Sequence, residues 1–456
     1  MIWSFGADDR VQVVKTAAKS RLLLFVLQLV ANLLIPDHRS DGFLNGFESE
    51  LKTRADRVIH QLFIGLNRWD SQYFMAIAYN GYTREEFLAF FPLFPLLVRW
   101  LANLLAIIVN TFIGTTVVSY YSLLLISSFT INFLLFILTA IVLYELTVRM
   151  FASKPMARMT VYWFAYNPSS IFFSSSYSEC LFAFLTFAGI YWTHMTTKWH
   201  HLMLASVLFG LSSAVRSNGL ISFGFILYRQ LSYILNDCFM AKRFHLRAGW
   251  LPKLAIRLFQ TLVYVSICVI PFLIYQIDAY DKFCTIPVST TPSYFTDWCN
   301  HTVPLSYSYV QNKYWNVGFL QYYQFKQIPN FLLALPIVII NLTSCIDYLV
   351  VNKDKLYQLL SLKTISTQHQ KHSSVMDNEW CFVHIIHVLC LTLFCLFFVH
   401  IQVTTRMLLS SSPLVYWTVE SRETKVNARR TKLVKLWFYG YFIVGTVMHS
   451  NFLPFT

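Results

Sequence analysis

Residues 68–78 read Arg68-Trp69-Asp70-Ser71-Gln72-Tyr73-Phe74-Met75-Ala76-Ile77-Ala78. This stretch places one carboxylate between a tryptophan and a short amphipathic helix, immediately before a large hydrophobic body. A charge in such a position is expensive, so its presence favours a functional role for Asp70. The structural alternative is that Asp70 only caps the helix. Trp69 and Tyr73 would then belong to an interfacial aromatic belt, and this segment by itself leaves both interpretations open.

Composition places the chain among membrane proteins. It is 56% hydrophobic and 13% charged, with more apolar side chain than a soluble domain covers with polar surface. Apolar runs of about 20 residues, the length that crosses a bilayer, recur from end to end. They lie near residues 20–35, 120–148, 160–176, 178–195, 202–217, 219–235, 254–276, 328–350, 381–400, 403–419 and 433–452. We therefore predict an all-α polytopic membrane protein with about eleven transmembrane helices, as a single domain over residues 1–456.

Loop charge sets the expected orientation. Basic clusters occur at Arg10/Lys15/Lys19/Arg21 before the first span and at Arg149/Lys154/Arg158, Lys242/Arg243/Arg247/Lys253, Lys353/Lys355/Lys363/Lys371 and Arg422/Lys425/Arg429/Arg430/Lys432/Lys435. The positive-inside rule places these clusters in the cytosol, with 352–378 as a cytosolic loop, and places 36–91 and 277–326 in the lumen. The net charge of +14 is thus mainly a topology signal. It does not indicate nucleic-acid binding, because no base-reading motif accompanies it.

The segment 92–112 does not fit this scheme as a crossing helix. If it and 120–148 both crossed, the basic cluster around Arg149 would become luminal. The Arg149 cluster stays cytosolic if the proline-rich segment after Phe90 does not cross the membrane. It would then form a juxtamembrane or re-entrant helix, protected by protein where its backbone is irregular. We therefore expect luminal juxtamembrane helices between the first span and residue 120.

The loop at 277–326 contains two cysteines and a glycosylation sequon. Cys284 and Cys299 share one luminal loop, which predicts a disulfide bond between them. Asn300-His301-Thr302 makes Asn300 a candidate glycosylation site. No cysteine and histidine spacing typical of zinc is present, and we expect neither a metal nor another cofactor.

Aromatic and amide side chains alternate farther along the same loop, at Gln311, Tyr314, Trp315 and Asn316. This mixture suits a carbohydrate, because aromatic rings stack on the C–H face of a sugar and amides pair with its hydroxyls. Anchoring of the loop at the headgroup level is the more common use of Trp and Tyr. The alternation with amides favours a binding role.

Two polar clusters interrupt apolar spans at their predicted luminal ends. They are Asn167-Pro168-Ser169-Ser170, which leads into Ser174-Ser175-Ser176-Tyr177-Ser178-Glu179, and Arg216-Ser217-Asn218-Gly219. An arginine beside Ser, Asn and Gly offers charge and backbone donors to a phosphate. Snorkelling to the interface explains Arg216 alone equally well. Convergence of these clusters with Asp70 on one face favours a functional site.

Several motifs carry a resemblance to a known family. They are Arg68-Trp69-Asp70, Phe90-Phe91-Pro92-Leu93-Phe94-Pro95, Asn167-Pro168-Ser169-Ser170-Ile171-Phe172-Phe173, Arg216-Ser217-Asn218-Gly219, Tyr314-Trp315-Asn316-Val317-Gly318-Phe319, Lys326-Gln327-Ile328-Pro329-Asn330-Phe331 and Asn451-Phe452-Leu453-Pro454. In this order they resemble the GPI mannosyltransferase 2 (PIG-V) family over almost the full length. The resemblance implies a GT-C-type enzyme of the endoplasmic-reticulum membrane. Such an enzyme transfers the second mannose, in α-1,6 linkage, from dolichyl-phosphate mannose to mannosyl-glucosaminyl-phosphatidylinositol on the luminal face.

The resemblance also assigns expected roles. Asp70 is the expected general base of an inverting displacement, and Arg216 and Arg68 are candidates for stabilising the leaving phosphate. Donor or acceptor contacts are expected from Arg68, Trp69, Tyr73, Asn167, Glu179, Arg216, Asn218, Gln311, Tyr314, Trp315 and Asn316. Type C enzymes often carry an acidic pair in the first luminal loop, whereas Ser71 and Gln72 follow Asp70 here. That departure weakens the argument for a divalent metal.

Two other classes of function stay open at this point. A transporter or flippase for lipid-linked sugars would use the aromatic side chains to line a path, although no internal repeat is evident. A non-catalytic subunit of a glycosyltransferase complex would share the spans without needing an aspartate at a luminal helix start. A small membrane-protein partner subunit is compatible with the enzyme as well.

Overall fold

The computed structural model describes residues 6–39, 42–112, 114, 117–195, 198–243, 247–285, 297–353, 380–423 and 428–455. Regular structure in these residues is helical, and none of them lies in a strand. In chain order the α-helices are α1 (Ala7–Leu34), α2 (Arg54–Phe63), α3 (Ser71–Asn80), α4 (Leu93–Phe112), α5 (Tyr120–Phe151), α6 (Lys154–Ala165), α7 (Glu179–Thr193), α8 (Trp199–Ser213), α9 (Phe223–Arg243), α10 (Arg247–Tyr280), α11 (Ser306–Trp315), α12 (Ile328–Val351), α13 (Cys381–Phe398), α14 (Thr404–Ser411), α15 (Leu414–Glu423) and α16 (Ala428–Ser450). The predicted all-α class is confirmed.

Six helical segments in the described part of the chain are long and apolar enough to cross a bilayer. They are Ala7–Leu34, Leu93–Phe112, Tyr120–Phe151, Trp250–Thr285, Phe325–Val351 and Cys381–Phe398. The protein is therefore polytopic, as predicted. Several of the other predicted spans correspond to shorter helices, such as α6 with 12 residues and α7 with 15 residues. The count of about eleven crossings stays a prediction.

The predicted span at 160–176 is not one continuous helix. α6 ends at Ala165, and residues 166–178 form an irregular segment that is almost entirely buried. Pro168 explains the break, because proline lacks an N–H and the residue before it avoids the helical conformation. A helix therefore ends inside the bundle with free backbone carbonyls.

The predicted span at 403–419 is broken in the same way. α14 ends at Ser411, and α15 begins only after Pro413. Both corrections have one cause. A hydropathy pattern shows that a segment is apolar, whereas a single proline decides where its helix stops.

Arg21 satisfies the carbonyls that the break after α6 leaves free. Its predicted place in the loop charge before the first span is wrong, because Arg21 lies within α1 and is only 1% exposed. The guanidinium donates hydrogen bonds to the carbonyls of Ala165 and Ser170, each at 2.8 Å, and to the hydroxyl of Ser174 at 3.0 Å. It also lies 3.9 Å from the ring centroid of Phe136. Broken backbone at membrane depth needs such donors because it has no water to bond with.

Arg21→Lys is expected to destabilise the protein by on the order of 3 kcal/mol, because the ammonium keeps the charge but cannot make all of these charge-assisted hydrogen bonds together. The thermal midpoint of the detergent-solubilised protein measures the effect. Arg10→Lys makes the same exchange at an exposed position of α1 and serves as the matched control. Equal midpoints for the two variants would contradict the role given to Arg21.

Ion pairs show which helix ends share a face of the bundle. Asp9, near the start of α1, lies 3.0 Å from Lys154 and 3.9 Å from Arg158. We call this end the basic face. At the other end of α1, Asp37 lies 2.7 Å from Arg68, next to Asp70, and we call that end the Asp70 face. The Lys154 cluster thus lies opposite Asp70, as the charge pattern predicts.

α4 is a continuous helix of 20 residues, so the predicted irregular, re-entrant backbone is absent there. Its first residue, Leu93, donates its N–H to the carbonyl of Ala214, just after α8. Beyond its last turn, the carbonyl of Val117 accepts a 2.8 Å hydrogen bond from the Thr53 hydroxyl, just before α2. Both ends of α4 therefore meet elements of the Asp70 face, which favours the juxtamembrane placement over a crossing.

Asp56 fixes α2 against the start of α5. Thr53 and Asp56 form a capping box at the N-terminus of α2. The Asp56 carboxylate also accepts 2.7 Å hydrogen bonds from the Ser119 N–H and the Ser122 hydroxyl. Burial raises the pKa of Asp56, but these hydrogen bonds outweigh it and lower the pKa to about 2. The chain before Asp70 is thus anchored to a long helix of the bundle.

Candidate active site

Asp70 lies immediately before α3, as predicted, but its side chain does not cap that helix. The carboxylate makes no hydrogen bond to the first turn of α3. Instead, Oδ2 accepts a 2.9 Å hydrogen bond from Nη2 of Arg406 in α14. The Asp70 side chain is 32% exposed, so a ligand can reach it. The interpretation of Asp70 as a helix cap alone is therefore wrong.

The backbone that presents Asp70 is held in an uncommon conformation. Trp69 has a φ of 56°, in the left-handed region that side chains other than glycine rarely adopt. Its ring packs edge-on against Phe452, with centroids 5.7 Å apart. The Asp70 N–H donates a 3.0 Å hydrogen bond to the Tyr177 hydroxyl. Such strain persists only where surrounding contacts enforce it, and it is typical of functional sites.

Arg68 supports this turn and does not point its charge at a ligand. Its guanidinium donates to Asp37 at 2.7 Å and to the carbonyl of Ser450 at 3.2 Å. It also lies 4.6 Å from the ring centroid of Phe452. The end of the chain, through Ser450 and Phe452, thereby holds the Arg68-Trp69-Asp70 turn in place.

A row of four charges runs from Asp70 into the bundle. Behind Asp70 lies Arg406, whose Nε is 3.7 Å from Oε1 of Glu179. The same Oε1 accepts a hydrogen bond from Nη1 of Arg216. The Glu179 side chain is fully buried, and its position between two guanidinium groups compensates the loss of hydration. Two carboxylates and two cations thus alternate, and the row is balanced in charge.

Two polar atoms of this row make no hydrogen bond within the described chain. They are Nε of Arg406 and Oε2 of Glu179, both buried. Buried polar atoms without a partner are uncommon in folded proteins, and each calls for an explanation. Nε of Arg406 faces the buried Glu179, whereas the side chain as a whole is 13% exposed beside Asp70, where its charge suits an anion such as a phosphate.

Aromatic rings form a wall beside the Asp70 turn. Tyr73 lies on α3, one helical turn from Asp70, and stacks on Phe90 with centroids 4.6 Å apart. Trp315, at the end of α11, packs edge-on against both rings, at 5.9 Å from Tyr73 and 5.8 Å from Phe90. Tyr73 and Trp315, predicted from distant motifs, are therefore brought together near the carboxylate.

Glu85 holds α11 in this position. Its carboxylate accepts 2.7 Å hydrogen bonds from Lys313 and Tyr314 and a 3.1 Å bond from the indole of Trp298. Burial and the neighbouring Glu85 carboxylate raise the pKa of Tyr314 to about 12, so its hydroxyl remains a donor. Tyr314 therefore positions the wall through Glu85.

Three of the predicted binding residues have structural roles, two through their amide side chains and one through its backbone. Asn167 donates to the carbonyl of Phe164 and accepts from the Ser169 N–H, which closes the turn after α6. Asn218 donates to the Ser411 hydroxyl at 3.0 Å. Asn316 has a φ of 53° and ends α11 in the left-handed conformation. Gln311 makes no side-chain hydrogen bond within the described part of the chain and is half-buried.

The loop after α10 contains the expected disulfide. The sulfur atoms of Cys284 and Cys299 are bonded, with their Cα atoms 5.7 Å apart. Asn300 is exposed at the end of a short 3₁₀ turn. Among the residues that the structure describes, no group of three or more His, Cys, Asp or Glu side chains is placed to hold a metal ion.

Comparison with known proteins supplies the family. The family model described as Mannosyltransferase (PIG-V) matches residues 10–456. The chain belongs to the PIG-V mannosyltransferase family. The protein is therefore a glycosyltransferase, and the family accounts for the helical membrane architecture that surrounds Asp70.

Full-length relatives of this PIG-V chain include proteins from insects and mammals. It is 34% identical to GPI mannosyltransferase 2 of Drosophila pseudoobscura pseudoobscura, over 98% of this chain and 99% of the relative. It is 31% identical to GPI alpha-1,6-mannosyltransferase 2 of Cricetulus griseus, over the whole of both chains. The protein of that name from Homo sapiens is 30% identical, over 98% of this chain and 99% of its own.

Arg406 is the site residue of this PIG-V enzyme that the sequence analysis missed. It lies in the apolar run predicted at 403–419, where an arginine is expensive unless it has a function or a partner. That signal was present in the sequence. The clusters at Asn167 and Arg216 interrupt their spans with several polar residues in a row, whereas Arg406 stands alone among apolar and hydroxyl side chains.

Proposed function

We propose that this protein transfers the second mannose of the glycosylphosphatidylinositol precursor, in α-1,6 linkage, from dolichyl-phosphate mannose. The acceptor is mannosyl-glucosaminyl-phosphatidylinositol, and the reaction takes place on the luminal face of the endoplasmic-reticulum membrane. The names of the full-length relatives support this acceptor and linkage. The observation that carries the proposal is the Asp70–Arg406 pair, with a reachable carboxylate beside a partly exposed guanidinium.

The reaction is a single displacement with inversion at the anomeric carbon. The acceptor hydroxyl oxygen attacks C1 of the donor mannose while the bond from C1 to the phosphate oxygen breaks. Dolichyl phosphate leaves with the electron pair, and the hydroxyl proton moves to the Asp70 carboxylate. General-base catalysis of this kind contributes on the order of 10²–10⁴ in rate.

Arg406 links the base to the leaving group. Nη2 holds Oδ2 of Asp70, which orients the carboxylate toward the acceptor hydroxyl. The guanidinium charge lies beside this carboxylate and is placed to stabilise the leaving phosphate, because developing charge is best stabilised by a group already in position. Glu179 orients Arg406 from behind, and Arg216 completes the charge balance. This arrangement shifts the phosphate role from Arg216 and Arg68 to Arg406.

Both substrates are lipids, which explains why this chemistry lies at the end of a membrane bundle. Only their head groups need to reach Asp70, while the lipid chains stay in the bilayer. Membership of a mannosyltransferase family favours this function over a flippase or a non-catalytic subunit.

The direct test uses microsomes from cells that lack this activity and express only this chain. Labelled dolichyl-phosphate mannose and the one-mannose acceptor are expected to give a two-mannose glycolipid that an α-1,6-specific mannosidase digests. Transfer to another position, or dependence on a different donor, would contradict the proposal. Activity of the purified chain alone would show that transfer needs no small partner subunit.

The proposed sidedness can be tested at the disulfide. If the Asp70 face is luminal, a membrane-impermeant reductant followed by a membrane-impermeant maleimide should label neither Cys284 nor Cys299 in intact microsomes, and the same two reagents should label both after permeabilisation. The matched control is the double variant Cys284→Ser and Cys299→Ser, which gives the background from the other cysteines. In the chain-entropy model this bond, which closes a 15-residue separation, stabilises by roughly 3 kcal/mol. Specific labelling of Cys284 or Cys299 from outside intact microsomes would mean that the orientation is the opposite of the one proposed.

A further inference from the structure

The motif Lys326-Gln327-Ile328-Pro329-Asn330-Phe331 has no part in the chemistry described so far, yet its amides belong to a polar cluster near the site. The centre of this cluster is the hydroxyl of Tyr322. It donates to Oε1 of Gln402 at 3.1 Å and accepts from Nδ2 of Asn330 at 2.8 Å. Asn330 also donates to Oε1 of Gln327 at 2.7 Å. We call Tyr322, Gln327, Asn330, His400 and Gln402 the Tyr322 cluster.

The hydrogen bonds within the cluster leave groups free at its surface. Nε2 of Gln402 and Oδ1 of Asn330 make no hydrogen bond to the described part of the chain, and both side chains are half-buried. One is a donor and the other an acceptor, held by the same tyrosine. Paired donors and acceptors beside an aromatic ring are what vicinal sugar hydroxyls require.

His400 connects the Tyr322 cluster to the catalytic carboxylate. Its imidazole stacks on the Tyr322 ring with centroids 4.4 Å apart and an angle of 25°. The same imidazole interacts with the backbone of Trp315 and with the charge of Asp70. His400 therefore brings the cluster next to Trp315 and within electrostatic reach of Asp70.

Gln402 is also placed next to Arg406. A 3₁₀ turn at Ile401–Val403 leads directly into α14, and residues four positions apart on a helical segment share a face. The other side of the cluster is fixed to the end of α13, because the Leu320 N–H donates to the carbonyl of Phe397 at 2.7 Å. The amides are thus held on rigid elements, which suits recognition of a defined ligand.

We propose that the Tyr322 cluster is the subsite that binds the glycan of the acceptor. This inference rests on the proposed function. The acceptor brings an extended head group with many hydroxyls, whereas the donor brings a single mannose joined to a phosphate. The amides and aromatic rings around residues 322, 330 and 400 offer more polar groups than a single mannose needs, which matches the longer ligand. The shorter donor fits against Arg406, where its phosphate is neutralised.

Two variants test this assignment. Tyr322→Phe keeps the ring on His400 but removes the hydroxyl that holds both amides, and Gln402→Ala removes one free donor while leaving the Tyr322–Asn330 bond intact. With saturating donor, each variant is expected to raise the KM for the acceptor roughly fivefold to tenfold, the effect of one or two lost hydrogen bonds. The KM for dolichyl-phosphate mannose is expected to stay within about twofold of the parent value.

Gln324→Ala is the matched control, since Gln324 is exposed in the same segment and its side chain bonds only to the carbonyl of Gln321. A rise in the donor KM instead of the acceptor KM would overturn the inference and assign the cluster to the donor mannose. Unchanged values for both substrates would also overturn it. A parent chain that transfers no mannose from the donor would instead contradict the proposed function itself.

A binding measurement gives an independent answer. The lipid-free mannosyl-glucosaminyl-inositol head group is expected to bind the inactive Asp70→Asn variant, and to bind roughly tenfold more weakly when Tyr322→Phe is added. Equal binding with and without the second substitution would overturn the subsite.

Discussion

Asp70→Asn is expected to abolish mannose transfer, with a loss on the order of 10²–10⁴ in rate, while the protein accumulates at the parent level. The amide cannot accept the proton of the acceptor hydroxyl. Folding should survive for two reasons. The Asp70 side chain does not cap α3, and Arg406 keeps the neighbouring charge of Glu179. The measurement is formation of the two-mannose glycolipid in microsomes at matched protein levels.

Asp278→Asn provides the control for this variant. Asp278 is also paired with a cation, Lys282 at 2.6 Å, but the pair is exposed and lies outside the site. This change should leave transfer unaltered. Near-normal transfer by Asp70→Asn would remove Asp70 from the catalytic role and leave it as a structural partner of Arg406.

The features that the sequence predicted depend on composition or on neighbouring residues. The helical class follows from long apolar runs, and the position of Asp70 before a helix follows from the pattern of residues 70–78. The pairing of Cys284 with Cys299 follows from their shared loop. Each of these signals is contained within a short stretch of chain, so no tertiary contact had to be known.

The site network could not be predicted in this way, because its members are far apart in sequence. Asp70 and Arg406 are separated by 336 residues, and only the folded bundle brings them together. Arg21 and Ser170 are 149 residues apart. An arginine in an apolar span signals that a partner exists, but the sequence does not say whether that partner is a carboxylate, a broken helix or a ligand.

The polar motifs also show why binding residues are difficult to predict from sequence. Asn167 and Asn218 lie in motifs that suggest binding, yet both amides bond to the protein itself. In a membrane bundle, every interrupted helix needs polar side chains to satisfy its backbone. Polar residues at a helix break therefore serve structure first. A charged pair that is partly exposed, such as Asp70 with Arg406, is better evidence of a ligand site.

Arg406→Lys is expected to reduce mannose transfer by on the order of 10², because removal of one preorganised donor to a developing charge has an effect of that size. The lysine keeps a positive charge near Asp70 but loses the fork that serves the carboxylate and the phosphate together. Folding should persist, since Arg216 still pairs with the buried Glu179. The rate at saturating donor and acceptor, at matched protein levels, measures the loss.

Two further lysine substitutions make this result specific. Arg216→Lys is expected to reduce transfer by at most about tenfold, because Arg216 acts on the site through Glu179. Arg257→Lys changes an arginine that pairs with Asp237 away from the site, and it should leave transfer unaltered. A larger loss of transfer in Arg216→Lys than in Arg406→Lys would assign stabilisation of the leaving phosphate to Arg216. Equal activity of Arg406→Lys and the parent chain would mean that Arg406 only neutralises Asp70, since a lysine can do that as well as an arginine.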